Sequence, residues 1–139
     1  MTIPEAPALL LTDQLSRVRA AWPGGGWEWD GRFGCALSTV GKEQETTARQ
    51  ALGAVLPATW STVTLADAPE AIQRLCARVG GLRGAQLVFS AELGAGALAY
   101  CMWWPWGSGA NFSARIGAIG AGGADDGLTP AVRSALGVK

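Results

Sequence analysis

The chain contains no histidine, so the commonest general base and metal ligand is missing, and with it every His-based nucleophilic triad. Nucleophilic chemistry would have to come from Cys35, Cys76 or Cys101. These three cysteines are odd in number, far apart and set among apolar neighbours. Their spacing offers neither the close pairs of a zinc site nor the even count of a disulfide framework. They read as buried free thiols acting as small hydrophobes. Glu28 and Asp30 stand two residues apart and share a face if their strand is regular, a pattern that suits acid–base work or a cation and equally a solvated edge. Asp125 and Asp126 lie in a glycine-rich loop and make a weak cation candidate. Gly24-Gly25-Gly26 lacks the Lys-Ser/Thr ending of a phosphate loop and precedes a hairpin, so it reads as a linker or turn. Gly107-Ser108-Gly109 lacks the frame of a hydrolase elbow, and neither Ser108 nor Ser113 has an identifiable base. No catalytic residue, metal site or cofactor is expected, and an enzyme is the less favoured reading.

The elements that hold these residues fit one domain of 139 residues, a common domain size. Eleven basic residues balance eleven acidic ones. A nucleic-acid binder shows a basic excess or stripe, and none is visible; Arg74, Arg78 and Arg83 form at most a small ridge. The N-terminal residues lack a basic signal region, and the run Ala8–Leu11 is too short for a membrane span. A cytoplasmic protein with no membrane partner is expected. Arginine outnumbers lysine nine to two, a bias typical of GC-rich bacterial genomes.

Leu11, Leu15, Val18 and Trp22 mark one face of a first helix, which begins either around a first-turn Pro7 or at a Thr12 cap and is ended by Pro23 and three glycines. Asp30-Gly31 between aromatic runs predicts a hairpin whose second strand runs through Cys35 and Leu37. A second helix is expected over residues 42–55, then a strand over Trp60–Leu65. A third helix follows, with Asp67 as N-cap and Glu70 completing a capping box; Ile72, Leu75, Cys76 and Val79 form its stripe. Thr129 and Pro130 predict a short last helix.

Between Gln86 and Ala124 only Glu92 and Arg115 are charged. Three strands fit, over residues 85–93, 97–106 and 111–119. Pairing Leu93 with Ala97, and Trp106 with Asn111, gathers Leu87, Phe89, Ala91, Leu93, Ala97, Ala99, Cys101, Trp103, Phe112, Ala114, Ile116 and Ala118 on one wholly apolar face. The opposite face carries Glu92, Tyr100, Met102, Trp104, Trp106 and Arg115, too aromatic for an ordinary wetted face. It is either covered by another helix or the N-terminal hairpin, or open to a partner. Trp103 and Trp104 must point to opposite faces, and Pro105 weakens pairing at the strand's end.

The expected fold is α+β: a mainly antiparallel sheet of five or six strands, three or four helices and a C-terminal three-stranded meander. The expected function is a non-catalytic protein–protein binding module, such as an adaptor, accessory subunit or inhibitor. Its contact residues would be Tyr100, Met102, Trp104, Trp106, Arg115 and Glu92, of types that interface centres favour. Two alternatives stand beside it. One is a small-molecule-binding domain or small enzyme with an aromatic-lined cleft, in which Trp104, Arg115 and Glu92 converge. The other is a structural subunit that associates with itself. The partner is accordingly another protein or a second copy.

Overall fold

A computed structural model describes residues 5–120 and 127–138. Asp125 and Asp126 lie outside the described residues. Six strands form one antiparallel sheet in the order β1-β2-β6-β5-β4-β3: β1 (Glu28–Asp30), β2 (Cys35–Gly41), β3 (Ala58–Trp60), β4 (Leu87–Gly94), β5 (Ala97–Pro105) and β6 (Asn111–Ile119). Four helices accompany it: α1 (Glu5–Ala21), α2 (Glu45–Val55), α3 (Glu70–Arg78) and α4 (Thr129–Leu136). This is the expected α+β class with its C-terminal meander.

The meander adopts the register expected from its alternation. Phe89 pairs with Cys101, Ala91 with Ala99 and Leu87 with Trp103; Cys101 pairs with Ile116 and Pro105 with Phe112. Trp106 donates its backbone N–H to Asn111 at 2.9 Å. One local correction arises at the first turn, where Gly94 rather than Leu93 pairs with Ala97. A bulge absorbs the extra residue, and Leu93 stays in the core.

The apolar face of the meander meets α1, α2 and α4. Leu11, Leu15 and Val18 of α1, Ala48, Leu52 and Val55 of α2, and Val132, Ala135 and Leu136 of α4 pack with Phe89, Cys101, Trp103, Phe112 and Ile116. Trp103 stacks on Phe112, ring centres 5.0 Å apart. The small residues Ala97, Ala99 and Ala114 let the helices approach closely.

The other face carries a second core. Ile72, Leu75 and Cys76 of α3 pack on Val88, Leu98, Tyr100, Met102 and Ile119. Phe33, from the loop between β1 and β2, closes the same cluster together with Trp104. Of the two arrangements open from sequence, coverage by the chain's own elements therefore holds over the centre of this face. Tyr100 lies across Gly117, where its Cζ would stand 2.6 Å from an added Cβ; only glycine leaves room for the ring.

Several element boundaries differ from expectation: the second helix starts at Glu45, behind a 3₁₀ turn over Lys42–Gln44, β4 starts at Leu87, and three further differences have local reasons. The strand expected over Trp60–Leu65 ends at Trp60. Ser61 accepts the Val63 N–H through its hydroxyl, and the Ser61 N–H donates to Thr64 Oγ1 at 2.8 Å. These hydroxyls compete with a ladder for the backbone. Asp67 does not cap α3: it belongs to a 3₁₀ turn over Leu65–Asp67, and Pro69 takes the N-cap position. The expected capping box is absent; Glu70 pairs with Arg74 instead. Thr129 lies inside α4, capped by Leu128. At the first helix the Pro7 alternative holds, because α1 begins before it.

Candidate functional site

The six residues expected to form one surface are divided by the fold. Tyr100 and Met102 are buried beneath α3, so the expectation that they meet a partner is corrected: the stripe of α3 needs an apolar floor, and they supply it. Glu92 is exposed and lies beside Pro69, Ala71 and Leu98 in a cleft of about 480 Å³. Glu92 sits opposite Leu98, and Arg115 opposite Met102. Four residues of strand thus separate their levels, roughly 13 Å at the usual rise. Trp104 and Arg115 converge with each other and not with Glu92.

What Trp104 and Arg115 converge on is the β1–β2 hairpin. The Arg115 guanidinium lies 4.5 Å from the Trp104 ring centre and 5.4 Å from that of Phe33. Phe33 meets Trp104 edge to face, centres 5.7 Å apart. Arg115 Nε donates to Asp30 Oδ2 at 3.2 Å, with the two side chains only 11% and 13% exposed. The other oxygen, Asp30 Oδ1, accepts the backbone N–H groups of Arg32 at 3.0 Å and Phe33 at 3.4 Å. One carboxylate therefore shapes the turn after β1 and ties it to β6. Arg32, exposed, stacks over the outer side of Phe33 at 4.4 Å. Glu28 shares Asp30's face, as its spacing predicts, but remains at the exposed edge. The two carboxylates are thus separated in role, one anchored to a cation and one solvated.

Trp106 continues the same face beyond this cluster. It is 48% exposed, yet its indole N–H donates to Ser113 Oγ at 2.9 Å. The device recurs: Trp22 donates to Ser38 and Trp60 to Ser90, each at 2.9 Å. In each case a serine on a strand accepts from, and so orients, a tryptophan indole. The Trp104 indole N–H is buried without an acceptor, which sets a cost on the packing that holds it.

The thiols are poorly placed for chemistry. All three are free and buried. Burial, reinforced by the Asp30 carboxylate and opposed by Arg115 and Arg78, pushes Cys35 up to about 12. Burial raises Cys76 and Cys101 in the same direction. A protonated, enclosed thiol is a weak nucleophile.

Sequence reasoning missed Phe33, Arg32 and the role of Asp30. The available signal was the Asp-Gly pair, which predicted the hairpin but not the partner its carboxylate finds 85 residues later. Comparison with protein-family profiles, curated proteins and solved structures finds no match to this chain. No helix among the described residues is long and apolar enough to cross a membrane.

Proposed function

We propose that this chain is a non-catalytic protein-binding module, an adaptor, accessory subunit or inhibitor, which engages another protein through the end of its meander. The contact surface is Trp106 and the exposed part of Trp104, flanked by Arg32 and Phe33, with Arg115 largely enclosed beneath Trp104 and held by Asp30. The observation that carries the reading is Trp106: a large amphipathic side chain nearly half in water, yet held in one orientation by Ser113. Such a residue loses little conformational freedom on binding and is the type that dominates interface energetics. Interface hot spots also favour arginine beside aromatics; Arg115 lies on the ring of Trp104, two residues before Trp106 on the same face, and Arg32 on Phe33, which meets Trp104 edge to face. The enclosed, protonated thiols fit a role without covalent chemistry, and a reducing cytoplasmic setting suits them.

Affinity capture with the full chain, wild type against Trp106→Ser, tests this. The variant removes the anchor without touching either core, so its melting temperature stays close to wild type while its partner is lost. A Val63→Ser control, at an exposed site on the loop after β3, retains the partner. Equal capture by wild type and Trp106→Ser rejects the surface. Size-exclusion chromatography with light scattering on the same proteins tells a second copy of this chain from a different partner.

A further inference from the structure

We propose that the protein engaged through Trp106 presents an acidic surface, whose aspartate or glutamate side chains are received by Arg32, Arg78 and Arg83; the inference rests on the reading of Trp106 as the anchor and names the chemistry of what it meets. All three arginines are exposed, and none has an ion-pair partner among the described residues. The ridge of Arg74, Arg78 and Arg83 expected from sequence is thereby divided. Arg74 is held by Glu70 one turn earlier on α3, whereas Arg78 and Arg83 remain open to a second molecule.

The fold gathers these arginines at the end of the second face that carries the tryptophans. Arg32 lies over Phe33, and Phe33 meets Trp104 edge to face. Arg78 stands in the last turn of α3, near enough to Cys35 to oppose the upward push on that thiol. Cys35 is the residue paired with Asp30 in the same hairpin. Arg83 opens a turn in which its carbonyl accepts the Gln86 N–H and its own N–H donates to Gln86 Oε1. That turn leads into β4 at Leu87, which pairs with Trp103, so it stands beside the end of β5 that bears Trp104 and Trp106. Leu82, next to Arg83, packs on the same second core as Phe33 and Trp104.

Little negative charge offsets them. Asp30 is committed to Arg115 and to the hairpin turn, and Glu28 stands on the outer edge strand. Lys42 and Glu43, beside the turn that follows Trp106, are of opposite sign. The last carbonyls of α3 accept from Val79, Gly80 and Gly81, which blunts the anionic end of that helix. The acids of this face lie at its other end, where Asp67 and Glu70 precede and begin α3 and Glu92 shares a cleft with Pro69 and Ala71. The chain is neutral overall, yet this face is polarised along α3. A basic rim around a held tryptophan steers acidic surfaces toward it and turns basic ones away. Single-stranded nucleic acid also combines anions with stacking rings, but it calls for a charged groove that tracks a backbone; here three arginines in a neutral chain stand around one anchor.

The test is ¹H–¹⁵N NMR of the whole chain, following the Trp106 indole and the backbone amides of β6. The probes are peptides of repeated Glu-Glu-Leu, Gln-Gln-Leu and Lys-Lys-Leu of equal length, and an oligothymidylate of similar length, at matched ionic strength. Saturable movement with the glutamate peptide, about tenfold tighter than with the glutamine peptide and absent with the lysine peptide, is the expected result. Replacing Arg32, Arg78 and Arg83 together by glutamine weakens that binding about tenfold, as expected for three exposed charge contacts. Arg19→Gln, an exposed arginine against the end of α4, leaves it unchanged. Urea unfolding verifies that each variant is folded. No saturable shift, equal binding of the glutamate and glutamine peptides, or tighter binding of oligothymidylate overturns the acidic protein partner. Trp106→Ser separates this inference from the reading beneath it. Binding that depends on Trp106 and not on the arginines overturns the inference alone, and binding that depends on the arginines and not on Trp106 overturns the anchor.

Discussion

Replacing Asp30 with alanine separates a structural anchor from a decorative surface ion pair. The substitution removes two acceptor contacts to the hairpin backbone, at 3.0 and 3.4 Å, and the partner of Arg115 at 3.2 Å. The longer backbone contact is weak, so the two together contribute about 1 kcal/mol. An uncompensated, fully buried charge costs about 3–5 kcal/mol. Arg115 keeps some exposure and two aromatic neighbours, which lowers that term to roughly 2 kcal/mol. The expected loss is about 3 kcal/mol, a large share of the 5–15 kcal/mol that stabilises a typical domain. At this chain length it corresponds to a fall in melting temperature of roughly 6–12 °C. Asp30→Asn keeps an acceptor for the turn and loses only about 2 kcal/mol. The assay is urea unfolding of wild type, both Asp30 variants, Arg115→Met and the double variant Asp30→Ala/Arg115→Met. The cycle should give a coupling of at least about 1 kcal/mol, because the double variant leaves no orphaned charge. A loss below about 0.5 kcal/mol for Asp30→Ala, the behaviour of an exposed pair, would falsify the reasoning and with it the claim that this bond fixes the hairpin against β6.

Three further outcomes can be measured on the same material. Gly117→Ala drives a methyl group into the Tyr100 ring and should cost about 1–3 kcal/mol by overpacking; unchanged urea unfolding would show that the ring is free to move aside. Ala95 has φ 53° beside Gly96 at φ 79°, a left-handed pair at the β4–β5 turn that asparagine tolerates better than alanine. Ala95→Asn should therefore raise stability by roughly 0.5–1 kcal/mol, and a fall would contradict the turn geometry. The thiols link stability to alkaline pH. Cys35 titrates near 9.0 when freed and at about 12 when folded, so above pH 9 the unfolded chain gives up its proton first. The stability contributed by the protonated thiol is present below pH 9 and is lost as pH rises through about 12. Cys35→Ala should flatten this alkaline limb of a pH–stability curve, whereas an identical slope would mean that other groups govern it.

The meander was legible because alternation constrains two faces at once. A shift of one residue would move Phe89, Cys101 and Ile116 together off the face that meets α1, α2 and α4, and their burial there follows from the register that gathers the apolar residues of all three strands on that side. The same alternation identified the aromatic second face but could not say what covers it. Strand periodicity records that a side is apolar and is silent on which distant helix supplies the other half. The stripe Ile72, Leu75 and Cys76 was legible by itself, yet its match to Tyr100 and Met102 depends on the sheet order, which places β3 and β1 at opposite edges. The hairpin at Asp30 was likewise visible from local turn chemistry. The bond from Asp30 to Arg115 crosses from β1 to β6, and nothing in either segment advertises the other. The errors at Ser61 and Asp67 have a different origin. Both are short polar side chains that can serve a strand end, a cap or a turn, and small differences in hydrogen bonding decide among these.

The central claim is that Trp106 stands at the centre of a protein contact. The most direct measurement keeps Trp106, places a photo-activatable benzophenone amino acid at the exposed neighbour Gly107, where a side chain would meet no other atom, and in parallel at Val63, and irradiates each protein in lysate of the source cells. One discrete adduct from position 107 and none of that mass from position 63 is the expected result, with the adduct suppressed by an excess of unlabelled wild type and not by Trp106→Ser. No adduct at 107, the same products from both positions, or equal suppression by Trp106→Ser would contradict it.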